Sequence, residues 1–561
     1  MKATTTKLFT LLSLFMLTSV TLFAQATFPV AWESKFENEP EYMRYTTPDG
    51  KYVIGTTKED VCVLDGTSGK QIWLKTFMDM AGVKKAADQQ VLDEAGVLMF
   101  ISKQKGNDEL FCIDLKTGNK LWANESFNGI KLNDVIYVAE TNSFVVVLDK
   151  GLVFIDSKTG VEKGSVGGIT GVPGRWVYVP EKKQFVIMCY QVNAFKAIGS
   201  GFTNHLLCVD VENMKTVWQT TFKGVVEIKK YASSTFSVFQ WVAVGVNKGI
   251  GSSNVLVDMY TYQGKVIVVF NGIKVFDLAS GNKIWEIEFD LSLNRGMAGS
   301  TQMYGAVADP LFTEKYVYVT SFEKGRDKAL IKYDMSNGTK IWETPIDGRK
   351  VIIPNIVLVN GVIVAQIGGY VNLQGEQSSS TGTTYFSKWE WQGPFGLKGY
   401  DEATGKLLWE TEKFDDRITN VLPIGDNLYV ADASSVYSVN VKTGANNFMT
   451  ETKGTKTGKP FFIFDYNDKI NLFCDNGMSS YSSTGALNYA YKLKDVDMDG
   501  SELFDNIYFL KNGDGLFAIN LENGTETGKY EYMKGMKYGF KEEGKSLFLL
   551  GEKKVLKHTL K

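Results

Sequence analysis

Short runs in which apolar and polar residues alternate recur along the whole chain, and that period predicts β-strands. Asn427-Leu428-Tyr429-Val430-Ala431 and Lys315-Tyr316-Val317-Tyr318-Val319 are two of them. One strand of each set ends at Asp, a Ser or Thr and then a Gly follow, and the chain re-enters an extended run carrying Trp. Val275-Phe276-Asp277-Leu278-Ala279-Ser280-Gly281-Asn282-Lys283-Ile284-Trp285 shows the whole unit. The Asp side chain can accept hydrogen bonds from backbone N–H groups ahead of it and so start a turn. The Gly is free to take the positive φ that such a reversal needs.

The unit repeats. Further copies run from Asp65 to Trp73, Asp114 to Trp122, Asp210 to Trp218, Asp334 to Trp342 and Asp401 to Trp409. Weaker copies keep the turn and lose the tryptophan: Asp156 to Gly160, Asn440 to Gly444, Ser482 to Gly485 and Asn520 to Gly524. The ten copies stand roughly 40 to 67 residues apart. Three or four short strands in a unit of about 45 residues read as one blade of a β-propeller. The fixed place of Trp73, Trp122, Trp218, Trp285, Trp342 and Trp409 in their units points to packing between neighbouring blades, where a buried aromatic dominates the local core.

The chain ends supply an eleventh, divided unit. Leu547-Phe548-Leu549-Leu550 to Leu560-Lys561 lines up with Leu428-Tyr429-Val430-Ala431 to Val441-Lys442. The missing strand is at the other end, where Ala31-Trp32-Glu33-Ser34-Lys35-Phe36 resembles Leu408-Trp409-Glu410-Thr411-Glu412-Lys413-Phe414. A ring closed by an N-terminal strand produces this split, and closure removes open sheet edges. The expected fold is all-β, a β-propeller of four-stranded antiparallel blades with about eleven units, in one large ring or two.

These residues resemble the PQQ-like β-propeller repeat proteins. The family signature, Asp-x-x-Thr-Gly-x-x-x-Trp, is nearly intact in Asp114-Leu115-Lys116-Thr117-Gly118-Asn119-Lys120-Leu121-Trp122. The resemblance runs across the mature chain and implies the fold more than the function, because the family holds quinoprotein dehydrogenases beside non-catalytic assembly factors. Its rings usually have seven or eight blades. Its enzymes show adjacent cysteines and a Glu, Asn and Asp calcium set; no two cysteines are adjacent here, and those ligands match no motif. The resemblance therefore implies the non-catalytic branch, with PQQ not expected as a cofactor.

Composition narrows the functions further. A net charge of −2 argues against nucleic-acid binding, which calls for a basic excess. With His205 and His558 the only histidines, a His-rich zinc site is excluded, and both are expected to be structural. Residues 1–26 read as a signal peptide: Lys2 and Lys7, an apolar run from Leu8 to Phe23, and the small-residue site Ala24-Gln25-Ala26. No cysteine at the cleavage point marks a lipoprotein. Residues 27–561 are thus expected to be the repeat region, periplasmic or extracellular, with no membrane span. Cys62, Cys112, Cys189, Cys208 and Cys474 lie in apolar runs and read as buried small hydrophobes rather than a disulfide framework.

Two places carry candidate chemistry. Asp495-Val496-Asp497-Met498-Asp499-Gly500-Ser501 sets three carboxylates at alternate positions before a Gly, a pattern that can aim Asp495, Asp497, Asp499 and Ser501 at calcium. The alternative is a solvated acidic turn. The second is the insertion from Gly369 to Gly396, where Trp389 and Trp391 stand outside the repeat positions and could stack on a sugar or anchor a protein. The alternative there is a long strand pair tucking its aromatics onto a neighbouring blade. The irregular stretch from Asn294 to Tyr304 is expected on the same face. The leading function is an exported, non-catalytic propeller that binds or scaffolds envelope or extracellular proteins or glycans. The alternatives are a PQQ- and calcium-dependent dehydrogenase, or a propeller hydrolase or lyase with carboxylates in its funnel.

Overall fold

The computed structural model describes residues 28–103, 108–127, 135–148, 151–168, 172–190, 203–223, 258–269, 272–288, 293–295, 301–304, 307–322, 328–347, 351–379, 382–531, 533–541 and 543–560. The expected leader lies outside them. The described strands form eleven antiparallel sheets, the blades of a β-propeller, ten of them four-stranded. Each of the ten repeat copies falls in its own blade, including the four that lack tryptophan. The eleventh sheet is the divided one.

Blade 1 shows why the sequence folds this way. Its middle strands, Tyr52–Thr56 and Asp60–Asp65, are buried along nearly their whole length and read as continuous apolar runs. Its last strand, Gln71–Thr76, buries Trp73 and leaves its first two residues exposed. Central strands are covered on both faces, whereas an outer strand faces a neighbour on one side only.

The chain divides into two compact units, the first of residues 1–76, 453–459 and 465–561, the second of residues 77–452 and 460–464. In the second unit the joints between blades follow one design. Trp122 lays its ring over Gly160 of the next blade and donates its Nε1–H to the Ser157 carbonyl at 2.9 Å. A Cβ at Gly160 would fall 2.4 Å from that ring, and the turn holds φ at +71°, so glycine is required twice over. Trp218, Trp285, Trp342 and Trp409 repeat the contact, donating to Leu278, Met335, Glu402 and Val441 at 2.9, 2.9, 3.1 and 2.7 Å. The turns themselves are fastened by their acidic residue. Hydrogen bonds from the Ser280 hydroxyl and backbone N–H hold the Asp277 carboxyl below its usual range.

One joint inverts the design. In the blade of strand Glu162–Gly167, the tryptophan position is Gly164, and the turn it faces carries Met214 where the other turns carry glycine. A Cβ at Gly164 would meet the Met214 sulfur at 2.7 Å. Met214 holds φ at +52° and packs half-buried against the cluster of Val138, Phe154 and Val211. The large partner has moved to the opposite side of the joint.

In the first unit Val30–Lys35 pairs antiparallel with Lys554–Thr559, Trp32 opposite Lys557. The divided blade thus takes three strands from the C-terminus and one from the N-terminus. Trp32 Nε1 and Lys557 Nζ both donate to the Gly66 carbonyl, each at 3.1 Å. His558 Nδ1 lies 2.9 Å from the Phe28 carbonyl, and its ring meets Tyr530 edge-on. Tyr489 stands in for tryptophan in another joint of this unit, its hydroxyl donating to Leu521 at 3.2 Å beside Gly524. The five cysteines are free and buried, and burial pushes the Cys62 thiol up to about 11. Such thiols act as packing groups.

Candidate functional site: an aromatic hairpin on blade 7

The seventh blade contains the largest departure from the repeat. Its strands Val362–Ser379 and Gly382–Asp401 run together far beyond blade length, in register from Val362 opposite Asp401 to Ser379 opposite Gly382. A register shift between Ile367 and Gly369 marks where the hairpin leaves the blade. Gly368 sits there at φ +78°, and a Cβ would lie 2.3 Å from the Pro394 carbonyl oxygen, so this irregularity requires glycine. Gln366 Nε2 bonds the Gly368 carbonyl at 3.2 Å and braces the same bend. The Gly393–Pro394 bond opposite is cis.

Beyond the bend, alternation places Tyr370, Trp389 and Trp391 on one face. Tyr370 is paired directly with Trp391 across the hairpin. Its ring lies 4.9 Å from that of Trp391 and stacks on Trp389 at 5.3 Å with 21° between planes. Trp391 also meets Phe395 edge-on at 6.5 Å, and Phe395 packs against the core around Trp409 and Leu428. The Arg417 guanidinium covers the Trp391 ring at 5.0 Å. The four aromatics therefore grade from core to solvent: Phe395 and Trp391 half-buried, Tyr370 46% exposed and Trp389 58% exposed. On the opposite side Val371 is fully buried, and Lys388 pairs with Glu390 at 2.7 Å.

The stretch from Asn294 to Tyr304 joins this sheet. Leu293–Arg295 pairs with Thr301–Tyr304, which pairs with the hairpin through Gln302 opposite Gln374 and Tyr304 opposite Asn372. Blade 7 is consequently a six-stranded sheet. Sequence reasoning found Trp389 and Trp391. It missed Tyr370, whose signal was its place opposite Trp391, and Arg417, which comes from a connection after the next strand.

The acidic motif is arranged otherwise than an open loop. Asp495 is exposed at φ +54°, with Lys494 at 3.8 Å. Asp497 begins the strand Asp497–Phe504 and carries the Lys511 ammonium at 3.0 Å, while the Ser501 hydroxyl donates to the Asp497 carbonyl at 3.0 Å. The side chain of Asp499 lies outside the described residues. Among the described residues no three His, Cys, Asp or Glu side chains gather as a metal set. A calcium ion here would have to exchange with Lys511 for Asp497. No helix among the described residues is long and apolar enough to cross a membrane.

Residues 95–367 match the family described as outer membrane protein assembly factor BamB. The chain is similar to the crystal structure of BamB from Moraxella catarrhalis, at 14% identity over 82% of this chain and 98% of that one, with a TM-score of 0.26. A eukaryotic initiation factor is similar at 12% identity over 74% and 88%, TM-score 0.33. The Dos1 propeller is similar at 13% over 69% and 92%, TM-score 0.36. No curated protein sequence matches.

Proposed function

Because the chain is a PQQ-like β-propeller repeat protein, we propose that it serves as an exported, non-catalytic scaffold that holds a partner on the hairpin of blade 7. The observation that carries this reading is Trp389, 58% exposed and stacked on Tyr370 at the solvent end of an aromatic series rooted in the blade core. A large aromatic left this exposed gains little from burial beyond its stack on Tyr370, and aromatics of this kind are the usual anchors of binding. The family matched by residues 95–367 is described as an assembly factor, which agrees with a binding role. Export rests on the leader read in residues 1–26.

The reading is tested on the full mature chain in its native envelope. Replacing Tyr370 and Trp389 together by alanine is expected to abolish retention of the bound partner, whatever its class, while the unfolding midpoint of the blades stays near that of the parent. Undiminished retention overturns the assignment to this hairpin. N-terminal sequencing of the secreted protein checks export, with cleavage expected after Ala26.

A further inference from the structure

We infer that the outer edge of the blade 7 hairpin pairs with the same edge of a second copy of this chain. The surface is the edge of the hairpin rather than its aromatic face, so it stands apart from the binding reading above. Strand Gly382–Asp401 is 20 residues long and is paired along one side with Val362–Ser379. Along its other side Lys398, Gly399 and Tyr400 meet the strand Leu407–Glu410. From Gly382 to Gln392 that side meets no strand among the described residues. The far edge of the hairpin carries Thr301–Tyr304 over Asn372 to Gly375, which leaves Gly382 to Gln392 as the long open side. The last strands of the other blades also end their sheets, but they run only from 5 to 9 residues. Short edges are a usual protection against pairing, whereas a long row of unpaired N–H and C=O groups is a template for another strand.

Symmetry and charge choose the occupant. Two identical antiparallel strands joined edge to edge are related by a two-fold axis perpendicular to their sheet, so one residue faces its own copy. Of the centres from Lys388 to Trp391, Lys388 and Glu390 each bring like charges face to face. A centre at Trp391 sets Lys388 against Pro394 and gives it no carboxylate across the axis. A centre at Trp389 sets Lys388 of each copy opposite Glu390 of the other, twice over. Lys388 holds Glu390 within the chain at 2.7 Å, and both side chains reach solvent, 59% and 29% exposed. Gln392 Nε2 donates to the other Glu390 carboxylate oxygen and keeps that group in place. Across the axis each ammonium lies between two carboxylates, and each carboxylate between two ammoniums. The two Trp389 side chains come side by side on the reverse face, a consequence of this register and not its ground. With one long edge open on each chain, the contact closes at two copies and does not run on as a fibre.

Sedimentation equilibrium of the mature chain tests the inference, with circular dichroism checking that each variant is folded. The parent is expected at twice the mass of one chain. K388E and E390K are each expected to weaken that dimer about tenfold or more, because each sets like charges opposite one another twice. An equimolar mixture of K388E and E390K is expected to recover the dimer, as is the double variant, since opposite charges again face across the axis. The mixture separates the interface from the ion pair within one chain, which both single variants have lost. A parent that stays monomeric up to about 100 μM overturns the inference. So does a dimer that survives both single variants, or a mixture that stays monomeric. None of these outcomes bears on the partner held by Tyr370 and Trp389, which is tested separately above.

Discussion

Two tryptophans of one sheet, Trp409 in its last strand and Trp389 in the hairpin, are 7% and 58% exposed. Trp409 is enclosed from every side. Gly399 lies opposite it, Gly444 of the next blade lies beneath it, and its N–H reaches the Val441 carbonyl at 2.7 Å. Trp389, among the described residues, has Tyr370 as its one ring neighbour and is 58% exposed. The same residue type is therefore buried where two glycines make room for it, and exposed where the strands run on past blade length.

Trp409→Ala should break the buried side of this contrast most severely, with a loss of about 3–5 kcal/mol in chemical denaturation. The inverted joint sharpens it. Gly164→Trp alone should cost about 2–3 kcal/mol, because the indole meets Met214. Gly164→Trp combined with Met214→Gly restores the common arrangement and should recover most of that loss, a coupling of about 1–3 kcal/mol in a double-mutant cycle.

The joint at Trp32 adds a pH term. Burial lowers the His558 pKa below 6.5, against a smaller opposing effect of the Phe28 carbonyl. The unfolded chain then takes up the proton first as pH falls. Stability from this group is full above pH 6.5 and declines below it until the folded pKa is reached. Urea titrations from pH 8 to pH 5, values chosen to bracket a His pKa of about 6.5, should show that slope reduced in His558→Phe. At the acidic motif, Lys511→Met removes the competing ammonium, so millimolar calcium should raise the melting temperature more in that variant than in the parent. The smallest effect belongs to Trp389→Ala, whose folding stability should stay within about 0.5 kcal/mol of the parent.

The repeat was legible because each blade needs the same few residues. Asp opens the turn, glycine closes it and tryptophan fills the joint, so Asp114 to Trp122 announces a blade before any contact is known. Even the divided blade was legible, since Trp32-Glu33 followed by Phe36 resembles Trp409-Glu410 followed by Phe414, with one residue fewer between. The Gly164–Met214 exchange was not, because each half reads alone as a degraded repeat, and only their contact shows compensation. The hairpin was legible as an insertion with two tryptophans. Its partnership with residues 301–304 was not, since pairing between strands so far apart in sequence leaves no local periodicity. At the Asp495 motif the spacing suits an ion loop, while the register of Asp497 with Lys511, set by pairing between strands, was not legible in it.

The strand Val30–Lys35 belongs to a blade whose other three strands are the last of the chain. Among the described strands its pairing with Lys554–Thr559 spans the longest separation in sequence. The other four-stranded blades, and blade 7 apart from its two added strands, pair neighbouring segments, but this blade bears the entropy of the longest loop closure among the described strands. Until that closure the facing edges of Val30–Lys35 and Lys554–Thr559 stay unpaired, and each is a surface on which another copy could pair. The seam of the divided blade is thus the pairing most open to a wrong partner before it closes.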